Sequence, residues 1–192
     1  MKSSTLIFVL VFLSIAINLS AQTDKTNSRT ATRAFVNCDS IFPKCFIGNW
    51  KGKLQWMIAG KPAQEFTMQL NIQPADSAGQ YTWQIIYGDD NKDSRPYILK
   101  PADTAKGHWV IDEQNGIILD SYVHGNSVHG AFTVKGNTIV NNYKIMEGMM
   151  HVEFFSINLN EKNQTGKGTE DSPFVENYRI KSYQTGVLLK VR

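Results

Sequence analysis

Phe46-Ile47-Gly48-Asn49-Trp50-Lys51-Gly52-Lys53-Leu54-Gln55-Trp56-Met57-Ile58 is the stretch whose reading decides the fold. Trp50, Gly52, Leu54, Trp56 and Ile58 fall at every second position, so in an extended chain they share one face, while Lys51, Lys53 and Gln55 point the other way. A strand with one dry side follows.

Upstream of that strand the chain reads as processing rather than fold. Residues 4–19 form a short apolar run behind Lys2 and lead into Ser20-Ala21-Gln22, the layout of a secretory signal cut after a small residue. We therefore expect residues 1–21 to be a signal peptide and the protein to be exported, periplasmic or extracellular. The run is shorter than the roughly 20 apolar residues of a bilayer span and contains Ser14 and Asn18, so no stable membrane insertion is expected after cleavage. Residues 22–45 read as a flexible leader, rich in Thr, Ser and Lys, that ends in a small loop between Cys38 and Cys45. In an exported chain these two cysteines most simply form a disulfide; with no histidine near them they suit zinc poorly. With 20 basic and 17 acidic residues scattered without a basic stripe, nothing marks a nucleic-acid partner.

Downstream, residues 46–192 alternate and turn, with no sustained helical period. Phe66, Met68, Leu70 and Ile72 share one face of a second strand, and Tyr81, Trp83, Ile85 and Tyr87 one face of a third. Pro96 makes the segment Arg95 to Lys100 read as an edge or kinked strand. Asn160 to Pro173 reads as a polar loop at a mouth, and Asn177–Tyr183 with Val187–Val191 as two strands or one bent strand. So many hairpin-linked strands would expose two edges and a broad apolar face if left open. Closure removes both, and the expected fold is all-β, an antiparallel up-and-down β-barrel of about 8–10 strands. A sandwich would need longer crossovers than these turns allow.

Phe46 to Gly52 resembles the Gly-x-Trp opening of the first strand of lipocalins and related calycin barrels, here Gly48 and Trp50. The family's middle motif is not matched and no C-terminal helix is apparent, so shorter fatty-acid-binding-like or avidin-like barrels remain open. The resemblance implies that Trp50 closes the base of the barrel under a basic side chain from a late strand, for which Arg179 is the candidate and Arg192 the next. It further implies a cup for a small hydrophobic or amphiphilic molecule, bound in the interior without a cofactor. The faces expected to point inward independently carry Leu54, Trp56, Phe66, Met68, Tyr81, Trp83, Trp109, Phe132, Tyr143 and Phe154. Aromatic walls with occasional hydroxyls suit such pockets, but any barrel core alternates in this way. The alternative is a filled barrel that meets protein or glycan through its loops.

Catalytic signals are sparse. There is no His-Glu-x-x-His, no Gly-x-Ser-x-Gly and no phosphate-cradling loop. His124 and His129, with Asp120 or His151, and the carboxylate pairs Asp112–Glu113 and Asp120–Glu153, are the only constellations to weigh. Solvated loops explain them more simply, so no metal and no catalytic residue is assigned. Asp76-Ser77-Ala78 and Asp103-Thr104-Ala105 look like acceptors of bacterial export-linked O-glycosylation, although Asp-Ser also simply makes turns. If the Cys38–Cys45 bridge forms, thiol labelling of denatured, unreduced exported protein should find no free cysteine; two labelled thiols would remove the bridge.

Overall fold

The computed structural model describes residues 42–192. The expected signal peptide, most of the leader and Cys38 lie outside the described residues. Ten strands follow in order: β1 (Gly48–Met57), β2 (Gln64–Ile72), β3 (Tyr81–Tyr87), β4 (Asp93–Asp103), β5 (His108–Asp112), β6 (Ile118–His124), β7 (Ser127–Val134), β8 (Asn137–Met146), β9 (Met149–Thr165) and β10 (Val175–Val191). Each pairs antiparallel with its chain neighbour, and β10 returns to β1, closing the barrel. The closing ladder runs from Asn49 opposite Val191 to Met57 opposite Tyr183.

Closure requires β1 and β10 to approach closely, and glycine makes that possible. A Cβ at Gly186 would come 2.4 Å from the Lys53 carbonyl, and one at Gly52 would come 2.1 Å from that of Val187. The turns are equally determined. Lys135-Gly136 and Glu147-Gly148 both hold positive φ at the two central positions, the geometry that matches hairpin twist.

The base is sealed by side chains from outside the strand ladder as well as within it. Phe42 and Phe46 meet edge to face at 5.1 Å, and Phe42 meets Trp109 at the same distance. Phe42 falls within the stretch read as leader, yet it packs with the barrel core. Trp50 is 2% exposed and its indole N–H donates to the Phe46 carbonyl at 2.7 Å. The basic cover is not Arg179. Lys190, opposite Trp50 in the ladder, places its ammonium 5.5 Å from the indole centroid. Gly48, at φ 152°, has the Lys190 stem where a Cβ would stand. Arg179 lies eleven positions before Lys190 on β10, at the opposite rim of the barrel, where it is paired with Glu161 at 2.7 Å. The late-strand rule identifies the strand, but alternation and the direction of β10 put the C-terminal lysine at the base.

Two further expectations change. Pro96 does not mark an edge, because a closed ring has none: β4 pairs with both β3 and β5. Pro96 lies above the β4–β5 ladder, which begins at Ile98, so the missing N–H interrupts little. The segment read as the loop Asn160 to Pro173 begins as strand, up to Thr165, and only the stretch from Gly166 to Pro173 is connection. β9 and β10 continue past the barrel rim as a two-stranded arm, pairing Lys162 with Tyr178 and Thr165 with Val175 above register shifts at Tyr178/Arg179 and Ile180/Ser182. The two segments read near the C-terminus are thus one irregular strand.

Replacing Lys190 by Met should lower stability by about 0.5–1 kcal/mol through loss of the cation over Trp50. Arg179→Ala should stay within about 0.5 kcal/mol, as for other exposed pairs. Chemical denaturation of both variants checks the assignment, and the reverse ranking would refute it.

Candidate functional site: the upper barrel interior

The register sorts the wall residues into an inner and an outer set. Inward positions near the base are sealed: Trp50, Ile72, Leu99, Met150 and Leu188 are fully or almost fully buried. Toward the other end, Trp56, Phe66, Tyr87, Tyr97, Leu119, Phe132, Ile139 and Phe154 also point inward but keep partial exposure. The interior is therefore packed below and accessible above.

All ten residues expected to line the interior do face it, but they divide by level. Tyr81 and Trp109, with ring centroids 6.3 Å apart, belong to the basal plug. Leu54 and Met68 are completely buried. Trp83 on β3 meets Tyr143 on β8 edge to face at 5.0 Å, and Tyr143 meets Phe154 at 5.6 Å, so with β3 and β8 five strands apart in the ring these aromatics pack across the barrel interior. Phe66 packs on Tyr87 at 5.8 Å. Trp56 and Phe132 stand higher, toward the rim.

The sequence reading missed the polar members of this interior. On β4, the inward positions Arg95 and Tyr97 were hidden by the demotion of that strand at Pro96, although their alternation with Leu99 was there to be read. Arg95 donates two hydrogen bonds to Asp93, at 2.9 and 3.0 Å, and its guanidinium lies 5.0 Å from the Tyr87 ring centroid. The Asp93 contact, outweighing burial, raises the Arg95 pKa still further. Glu113 turns toward Tyr97; burial first, and then this carboxylate, lift the Tyr97 phenol above its ordinary value. Desolvation pushes Tyr87 up to about 12 and Tyr143 higher still. Trp56 Nε1 and Asn141 Oδ1 on the inner walls are buried without a hydrogen-bond partner, as are Asn142 Oδ1 and His151 Nε2 on the outer face, whereas the Trp83 indole is in hydrogen-bond reach of the Tyr143 hydroxyl.

The constellations weighed for catalysis do not assemble. Asp112 is on the outer face, paired with Lys100 at 2.5 Å, while its neighbour Glu113 turns inward. Asp120 accepts from His108 at 2.7 Å, and Glu153 is held by Tyr183 and Asn142, whose hydrogen bonds keep its pKa below the usual carboxylate value. The His124 and His129 rings lie 5.5 Å apart on the outer side, and among the described residues no three potential ligands converge. Ser77 and Thr104 lie in exposed connections at the base.

No family model and no curated protein matches this chain. Among solved structures, the chain is similar to a protein of unknown function from the DUF3598 family of Nostoc punctiforme, with TM-score 0.57 and 10% identity over 77% of this chain. The match spans 48% of that protein's length, about half, and at this identity it speaks for the fold alone. The class defined is thus an antiparallel closed β-barrel of ten strands.

The buried phenols make alkaline stability a test of the interior. Tyr87 is raised from 10.0 to about 12, so above pH 10 the unfolded chain loses a proton that the folded chain keeps. Stability from this group is complete below pH 10 and declines as pH rises toward 12, at up to about 1.4 kcal/mol per pH unit. Tyr143 acts in the same direction. Ultraviolet titration of tyrosinate alongside denaturation should show this decline, and Tyr87→Phe should flatten it.

Proposed function

We propose that this is an exported, calycin-like barrel that binds a small hydrophobic or amphiphilic molecule in the upper half of its interior. The observation that supports the reading is the gradient along the barrel axis. Below, Trp50, Ile72, Leu99, Met150 and Leu188 are almost fully buried; above, Trp56, Phe66, Phe132 and Phe154 keep partial exposure, and the Trp56 indole N–H has no partner. Apolar walls with a few convergent polar atoms are what small-molecule sites use. The Gly48-x-Trp50 opening, with Trp50 under a cation at the sealed base, supports the calycin likeness. The signal-like start supports export.

A second reading has its own support. The β9–β10 arm carries exposed apolar side chains, Phe174 at 61% and Ile180 at 50% among them, and would serve an interaction module that meets a partner above the rim. Native mass spectrometry of protein recovered from its own host separates the two. The cup reading expects a small-molecule adduct that unfolding releases, and uptake by the adduct-free protein of an apolar dye that brightens in dry surroundings. A barrel that takes up no dye, and whose arm deletion abolishes partner capture, would instead support the interaction module.

A further inference from the structure

We infer that the β9–β10 arm is a docking edge for a second copy of this chain. The free side of β10 from Phe174 to Ile180 pairs antiparallel with the same stretch of its twin, about a two-fold axis between the two Asn177 residues. This pairing is independent of what the barrel interior holds.

The arm leaves backbone unpaired on both sides. β1 parts from β10 at Met57 opposite Tyr183, and the chain then reverses through a turn in which the Lys61 N–H donates to the Ile58 carbonyl at 3.0 Å. β8 likewise parts from β9 at Asn137 opposite Asn158. Beyond these points the arm is a ribbon held by its own ladder, and among the described residues no strand pairs with either outer side. A two-stranded ribbon is marginal by itself in water, and an open edge is a template for a further strand.

The two strands differ in what they offer. On β9 the free stretch reads Asn160-Glu161-Lys162-Asn163-Gln164-Thr165, entirely polar. On β10 it carries Phe174, Val175, Tyr178 and Ile180, which are 61%, 49%, 41% and 50% exposed. Apolar burial rewards association, so the added strand belongs on β10.

The sequence of that edge fits itself. A two-fold axis normal to the ribbon sets one residue against its own twin, and the rest pair outward from it. An axis at Glu176 or Arg179 would oppose like charges, and one at Ile180 would set Arg179 against Lys181. An axis at Val175 or Tyr178 would face the Glu176 carboxylate with Phe174 or Ile180. With the axis at Asn177, Phe174 faces Ile180, Val175 faces Arg179 and Glu176 faces Tyr178, each pair made twice. No like charges meet. The arm's two most exposed side chains cover each other, and the arginine stem covers Val175. The Tyr178 hydroxyl donates to Glu176 of its own chain at 2.6 Å, and the same carboxylate of the second copy stands across the seam. The Lys162–Glu176 and Arg179–Glu161 pairs bring each ribbon there with its charges balanced.

The test is sedimentation velocity of the full chain over a dilution series, in wild type, Phe174→Lys, Ile180→Glu and the chain carrying both substitutions. Wild type should form dimers that dissociate on dilution. Each single substitution should weaken the dimer by about ten-fold or more, since both copies of the apolar pair then hold a charge. The double variant should dimerise at least about five-fold more tightly than either single one, because the introduced ammonium and carboxylate face each other across this register. Both positions are exposed, so circular dichroism should show the same fold throughout. A wild type that stays monomeric at about 100 μM would overturn the inference. So would single variants that dimerise as wild type does, or a double variant no tighter than they are. Growth into an open series of larger species would also overturn it, because a two-fold pairing uses up the edge. Uptake of the apolar dye by the interior should be equal in all four chains, which keeps this test separate from that of the cup.

Discussion

The structure depends on the approach of β10 to β1. Ten twisted strands joined by hairpins present two edges until the last meets the first, and the meeting is sterically demanding. Gly52 and Gly186 allow it, because any side chain at either position would press on the backbone of the facing strand. The same ladder sets Lys190 opposite Trp50, so the contact that caps the base is a consequence of closure. Gly48 completes the arrangement by leaving its own Cβ position to the lysine stem. Three glycines, one indole and one ammonium thus act together at the seam.

Once the ring is closed, its interior acquires a direction. The segment before β1 folds Phe42 and Phe46 into the base, where Trp50, Tyr81 and Trp109 complete a dry floor. No comparable segment enters the opposite end among the described residues. There, Arg95, Asp93, Tyr97 and Glu113 bring polar chemistry inside, and burial keeps the phenols of Tyr87 and Tyr143 protonated far into alkaline conditions.

The outer surface carries the cross-strand ion pairs. Its ionic groups pair locally: Lys100 with Asp112, His108 with Asp120, Glu153 with Tyr183 and Asn142. The residues most suggestive of acid–base or metal chemistry in the linear chain are these, and the fold spends them on cross-strand contacts. The β9–β10 arm continues the same pattern above the rim, with Lys162 held by Glu176 and Arg179 by Glu161. Its exposed Phe174 and Ile180 stand apart from that ionic lattice.

By itself the sequence determined the all-β class, the hairpin meander, and the inward placement of the ten aromatic and aliphatic residues from Leu54 to Phe154, because side-chain alternation and turn residues are local properties of a strand. It also identified Trp50 as a residue of the sealed base. Only the tertiary structure decided which cation covers that indole, since Arg179 and Lys190 lie on the same strand and register against β1 alone tells them apart. It likewise decided that Pro96 is not at an edge, that β9 runs on through Asn160 to Thr165 before the connection that was read as a loop, and that Arg95, Glu113 and Asn141 face the interior. Periodicity gives each strand two faces, but pairing through the whole ring is what assigns those faces to a common inside and sets them at a common height.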